Sequence, residues 1–171
     1  MNWKEEKNIV RIMKRYLLNI GFKSIGEFQE EKLHGVDICM INKKTRRYWF
    51  IECKGFPSKN YKKGNRVGEK KSSQTLKAQR YSWITTAIGQ IAIRMKQKNG
   101  KYGIALPYNP YYINKVLDIH ENKTPEYQRT YMSIFRKRSK VYFFFINKKK
   151  EIWQVSPDSK KLKKLKWGEE E

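Results

Sequence analysis

Cysteine is scarce. The 171-residue chain holds two, Cys39 and Cys53, too few for a disulfide scaffold and, without other ligands, for a structural zinc site. Both fall within apolar strand patterns, which predicts reduced core residues of an intracellular, cytoplasmic protein. Long apolar runs are missing as well. Nowhere do roughly eighteen apolar residues follow one another, and the opening MNWKEEKNIVR lacks the apolar centre of a leader. A soluble protein with no membrane partner is expected. Acidic residues are few: 16 Asp and Glu stand against 39 Lys and Arg, a formal charge of +23. The lysines are spread along the whole length, and a surplus of this size speaks of partners and not of fold. Nucleic acid is the leading one. There is no internal repeat, no glycine-rich phosphate loop and no Ser-His-Asp order. Aromatic residues make up 14% of the chain, which excludes a disordered polymer. The length suits one domain, expected over residues 1–157, followed by a charged tail over 158–171.

What is present is organised around His34–Pro57, HGVDICMINKKTRRYWFIECKGFP. Val36–Ile41 is apolar apart from Asp37, Asn42-Lys43-Lys44-Thr45 turns the chain, and Arg47–Lys54 alternates in aromatic and β-branched residues. This predicts two strands of a hairpin. Side chains two apart share a face, so Glu52 and Lys54 point one way and Trp49, Ile51 and Cys53 the other. Antiparallel pairing brings Asp37 close to Glu52 and Lys54. Carboxylates crowded at a partly dry edge need compensation, and a divalent cation such as Mg²⁺ supplies it.

The flanks supply further elements. Ile9, Ile12, Met13, Tyr16, Leu17 and Ile20 form one stripe of a helix over Trp3–Ile20, closed by Gly21-Phe22. A strand is expected at Ser24–Phe28, beside the acids Glu27, Glu30 and Glu31. Ser58–Ser73 is basic, glycine-punctuated and too polar to pack, a loop that is either solvated or functional. Gln74–Lys98 reads as the strongest helix, with Ser72 or Ser73 as N-cap. Its expected buried stripe is Trp83, Ala87, Ile91 and Met95, supported by Ile84, Ile88 and Ala92. Gln79 and Gln90 share one flank. Tyr102–Leu106 follows as a strand, which a right-handed crossover sets parallel to the Glu52 strand. Helices are expected at Tyr112–Ile119 and Glu126–Arg136, the second running into the basic Arg136–Lys140. A hairpin follows from Val141–Ile146 and Ile152–Val155. The stretch after Pro157 reads as a loosely held tail or a short closing helix.

Asp37, fourteen intervening residues and Glu52-Cys53-Lys54 resemble the D…(D/E)-x-K signature of the PD-(D/E)XK nuclease superfamily, with Val36 where the motif has proline. The resemblance spans roughly Trp3 to Pro107. It implies an α/β, restriction-endonuclease-like core: a mixed sheet flanked by helices in the order α-β-β-β-α-β, here followed by a helical segment and a β-hairpin. It further implies metal-dependent hydrolysis of phosphodiesters, DNA before RNA, with Mg²⁺ as cofactor and Mn²⁺ as substitute. Asp37, Glu52 and the Cys53 main-chain carbonyl would hold the metal and Lys54 would position the attacking water. Glu6, preferred to Glu5 because it lies nearer the buried stripe, would add an acid, and a helix glutamine, Gln90 or Gln79, would line the site. Lys59, Lys62, Lys63, Arg66, Lys70 and Lys71 of the loop, with Gln79 and Arg80, would meet the nucleic acid, Tyr61 being placed to stack. Two other readings stand beside this one. The first is a Holliday-junction or other structure-selective resolvase acting as a homodimer. The second is a non-cleaving basic DNA-binding module, or a subunit of a restriction or transposition assembly.

Overall fold

The computed structural model describes residues 3–25, 36–95, 100–117 and 132–166. Glu27, Glu30, Glu31, His34 and His120, most of the helix expected at Glu126–Arg136 and the last residues of the tail lie outside them. The described residues form four helices, Glu6–Asn19 (α1), Ser73–Arg94 (α2), Pro110–Leu117 (α3) and Met132–Arg138 (α4). Seven strands follow one another in chain order across one sheet: β1 (Phe22–Ser24), β2 (Ile38–Asn42), β3 (Tyr48–Cys53), β4 (Gly100–Pro107), β5 (Val141–Ile146), β6 (Ile152–Val155) and β7 (Lys163–Lys164). The β3–β4 and β4–β5 pairs are parallel and all others antiparallel. This is a mixed α/β sheet, as expected.

Alternation along the strands sorts side chains into two cores. On one face Ile9, Ile12, Met13, Tyr16 and Leu17 of α1 pack on Ile38, Met40, Trp49, Ile51 and Cys53. On the other, Ile84, Ala87 and Ile91 of α2 and Tyr112, Ile113 and Val116 of α3 cover Cys39, Ile41, Phe50, Ile104 and Phe143. Both cysteines are buried and neither is in a disulfide among the described residues. The β2–β3 turn is held by Asn42, whose Oδ1 accepts from the Lys44 and Thr45 amides at 3.0 and 2.8 Å. Ser72 caps α2, its Oγ accepting from the Thr75 amide at 3.1 Å.

Several boundaries differ from expectation for identifiable reasons. β1 starts at Phe22 because Gly21 adopts φ +86 and drops Phe22 straight into the core. On α2 the stripe is narrower than predicted: Trp83, Ile88 and Met95 are half-buried and Ala92 is exposed. The described part of the segment read as a tail, up to Lys166, does not leave the body. Lys163 and Lys164 pair with Gln154 and Trp153 as the seventh strand, and Leu165 is buried among α1-side residues. A helix there is thereby corrected to a strand, and the domain reaches at least Lys166. The basic run Arg136–Lys140 also needs correction at its first residue. Arg136 is fully buried; its Nε donates to the Pro157 carbonyl at 3.2 Å and its Nη1 to the Val116 carbonyl at 3.1 Å. It ties α4 to the end of α3 and does not face solvent.

Candidate functional site

The hairpin register sets the site. Ile38 pairs with Ile51, so one residue further on Asp37 stands opposite Glu52. At that point the ladder would leave the Cys53 amide without a partner, and Asp37 Oδ2 accepts from it at 2.6 Å. Lys54 continues the strand by one bond, its amide donating to the Ala105 carbonyl at 3.0 Å. Its side chain turns back, and Nζ lies 2.6 Å from Glu52 Oε1.

The third acid arrives from α1. Gly55 lies against the first turn of that helix so closely that an added Cβ would stand 2.7 Å from the Lys4 carbonyl oxygen and 2.8 Å from the Glu6 amide nitrogen. The Phe56 amide donates to the Lys4 carbonyl at 2.8 Å, and the Gly55 amide bonds the Glu6 carboxylate. Glu6 Oε2 is then 3.9 Å from Lys54 Nζ. Glu5 turns instead to Lys7 at 3.5 Å and Lys62 at 4.0 Å. Gly55 is the positioning residue that sequence reasoning missed. A glycine directly after a strand often marks close backbone approach, and that signal is legible in the chain.

Electrostatics follow from this crowding. Glu52 is 2% exposed. Burial pushes its pKa up to about 7, Asp37 and Glu6 add to the rise, and Lys54 opposes it. Glu6 is also raised, first by burial, with Lys54 lowering it and Asp37 raising it. Lys54 is raised by its bond to Glu52 and by the three carboxylates, against the pull of burial, so it stays an ammonium. Glu52 Oε2 is buried with no hydrogen-bond partner among the described residues, an expensive state for a carboxylate oxygen. The available donors are all oxygens, and one or two well-placed carboxylates suit Mg²⁺, which keeps water and takes substrate phosphate. Among the described residues no three His, Cys, Asp or Glu side chains group tightly enough to hold an ion by themselves.

The basic segment after the site has more order than its composition suggests. Asn60 and Lys70 form an antiparallel bridge. The Tyr61 and Lys71 amides donate to the Glu69 and Lys59 carbonyls at 3.0 and 2.8 Å, and Gly64 and Gly68 turn the tip at φ +79 and +88. It is a small β-arm. Lys59, Lys62, Lys63 and Lys70 project from it exposed. Arg66 and Tyr61 are engaged with each other inside the arm. The guanidinium lies 4.5 Å over the Tyr61 ring and its Nε donates to Glu69 at 2.6 Å, while Lys71 Nζ is 5.4 Å from the same ring. That ring is therefore occupied within the arm. Lys71 Nζ donates to Gln79 Oε1 at 3.0 Å, which fastens the arm to α2. Arg80 stacks over Phe56 at 4.5 Å and Tyr111 at 5.5 Å, next to the end of β3.

Gln90 stands further along the same helix, its Oε1 buried with no hydrogen-bond partner among the described residues. It lies about 15 Å further along α2 than Arg80 at about 1.5 Å per residue. It is one turn from Arg94, whose carbonyl accepts from Tyr102 Oη at 3.0 Å, and Tyr102 pairs with Phe50 in the middle of β3. α2 runs antiparallel to β3, with its early turns beside Phe56 and its last turn beside Tyr102. Gln79 lies in the early turns of α2, joined to the arm through Lys71. No family model, no curated protein and no solved structure matches this chain.

Proposed function

We propose that the protein is a metal-dependent nuclease of the PD-(D/E)XK type acting on DNA. One observation carries the reading: Asp37 before β2, Glu52 and Lys54 at the end of β3 and Glu6 of α1 meet at one sheet end, with a Glu52 oxygen left unpartnered among the described residues. Asp37 and Glu52 would hold Mg²⁺ or Mn²⁺, with the Cys53 carbonyl and Glu6 as further oxygen donors. Bound there, the cation supplies charge neutralisation at the scissile phosphate and acidifies water.

The chain's own groups do the rest. Glu52 must give up its proton to act as a ligand, and Lys54 lowers the cost of that ionisation. Lys54 remains protonated, which suits it to orienting water and neutralising charge on the pentacovalent phosphate and not to removing a proton. Gly55 keeps Glu6 in reach. The exposed lysines of the β-arm would hold the backbone on one side of the site. In-line attack would leave a 5′-phosphate and a 3′-hydroxyl.

A second reading, a basic nucleic-acid-binding module without cleavage, is favoured by the partners the acids already have: Lys54 on Glu52 and the Cys53 amide on Asp37. The two are separated by incubating supercoiled plasmid, single-stranded and four-way-junction DNA with Mg²⁺, Mn²⁺ or EDTA. We expect metal-dependent cutting by the wild type, lost in Asp37→Ala and Lys54→Ala while DNA binding persists. Salt-sensitive binding with no cutting of any substrate would move the assignment to the binding module.

A further inference from the structure

A second group of cations lies apart from the site and the arm. Arg11, Arg15 and Asn19 of α1 form one wall of a cleft, Lys149 and Lys150 of the β5–β6 turn form the other, and buried Ile12 lies between; its volume is about 520 Å³. None of these residues is acidic. Positions 11, 15 and 19 stack along one side of a helix, just outside the stripe that α1 buries. The turn opposite is closed by Lys150 at φ +64 and by Asn147, whose Oδ1 accepts from the Glu151 amide at 3.0 Å and whose Nδ2 donates to Glu151 Oε2 at 2.6 Å. Glu151 also accepts from Lys164 Nζ, so the carboxylate next to the cleft is engaged with Asn147 and β7.

We propose that this cleft is a second track for a phosphodiester backbone, carrying the strand away from the Asp37–Glu52–Lys54 cluster. The proposal rests on the nucleic-acid part of the reading above and not on cleavage. Two placements connect cleft and cluster. α1 brings Glu6 to the cluster in its first turn, then Arg11 about 8 Å and Arg15 about 14 Å further along its axis. Pro107 pairs with Ile146, so the β5–β6 turn emerges at the same end of the sheet as Glu52 and Lys54.

The chemistry selects the occupant. Guanidinium forks and ammonium groups match phosphate oxygens, and among the described residues no aromatic ring lines the cleft to stack a base. Its walls face each other across a concave space, where a strand fits and a flat lipid surface reaches only the rims. Arg11 and Arg15 are about 6 Å apart along the axis, one to two nucleotides at about 3.4 Å of rise per strand.

The test is fluorescence anisotropy of a labelled duplex against KCl concentration. It compares wild type, the combined Arg11→Gln, Arg15→Gln, Lys149→Gln, Lys150→Gln variant and an equal-charge control. The control, Lys43→Gln, Lys44→Gln, Arg46→Gln, Arg47→Gln, sits on the exposed β2–β3 turn at the opposite sheet end; circular dichroism checks that all three fold. We expect the slope of log affinity on log salt to shrink by about 0.9 for each phosphate no longer neutralised, up to about 3.6 in the cleft variant, and by less than about 0.9 in the control. An unchanged slope in the cleft variant, or an equal change in both, overturns the track. So does a cleft variant that loses binding to phosphatidylserine vesicles but keeps its DNA slope. A cleft-specific change in slope with no cutting by any protein supports the track while removing the nuclease reading.

Discussion

At Glu52 the fold holds a carboxyl group whose proton leaves at about 7 instead of the usual 4.5, chiefly because it is buried. Between those values the folded protein binds a proton that the unfolded chain has released. The stabilising contribution is therefore full below the unfolded value and lost as pH rises through the folded one, a difference on the order of 3 kcal/mol. Wild type should lose more melting temperature than Glu52→Gln between about pH 5 and about pH 8, measured by thermal denaturation. Above neutral pH, Mg²⁺ should raise the melting temperature of wild type and leave that of Glu52→Gln unchanged, because only the ionised site gains from the ion. Equal pH slopes in the two proteins would contradict the assignment of this proton. Gly55 is the other decisive residue. In Gly55→Ala the methyl group meets backbone on both near sides, which cannot rotate away, so a loss of about 1–3 kcal/mol is expected in urea unfolding. The same variant should show a smaller Mg²⁺-dependent gain, because Glu6 is displaced with the first turn of α1.

At the scale of elements, α2 and the β-arm illustrate two kinds of local signal. Ser72 behaves as the cap its residue type predicts, and α2 forms even though only Ile84, Ala87 and Ile91 of its described residues are fully buried. Gly89 sits within it with open space where a Cβ would go. Gly89→Ala should stabilise the protein by about 0.8–1 kcal/mol, seen as a higher melting temperature with unchanged DNA affinity. A lower melting temperature would mean that something covers that face. The arm is ordered by interactions that composition does not display: cation–π stacking of Arg66 on Tyr61, the Arg66–Glu69 pair and the bond from Lys71 to Gln79. A count of lysines and glycines describes a solvated loop; the pairing of Asn60 with Lys70 makes it an arm.

At the scale of the whole molecule, one sheet serves both cores. β2, β3, β4, β5 and β6 each send buried side chains to the α1 side and to the α2 side, so neither core can dissolve without breaking the strands of the other. Heat should unfold the described body in one cooperative transition, with near- and far-ultraviolet circular dichroism changing together. Two separated transitions would show that the layers melt independently. No described helix is long and apolar enough to cross a membrane, and a charge of +23 is a statement about solubility and association and not about fold.

Elements with local patterns were legible in the chain alone: the α1 stripe, the β2–β3 hairpin that opposes Asp37 to Glu52, the helix after the arm, and β5 and β6 at the predicted residues. Strand alternation and helical periodicity are properties of neighbouring residues, so no partner need be known to read them. The tertiary structure alone decided which distant groups meet. It drew Glu6 in through a glycine contact, buried Arg136 on two carbonyls, took Leu165 into the α1-side core and faced Arg11 and Arg15 with Lys149 and Lys150. Each of these depends on helix direction and sheet order, which are settled by packing across the whole chain and leave no mark in any one stretch of it.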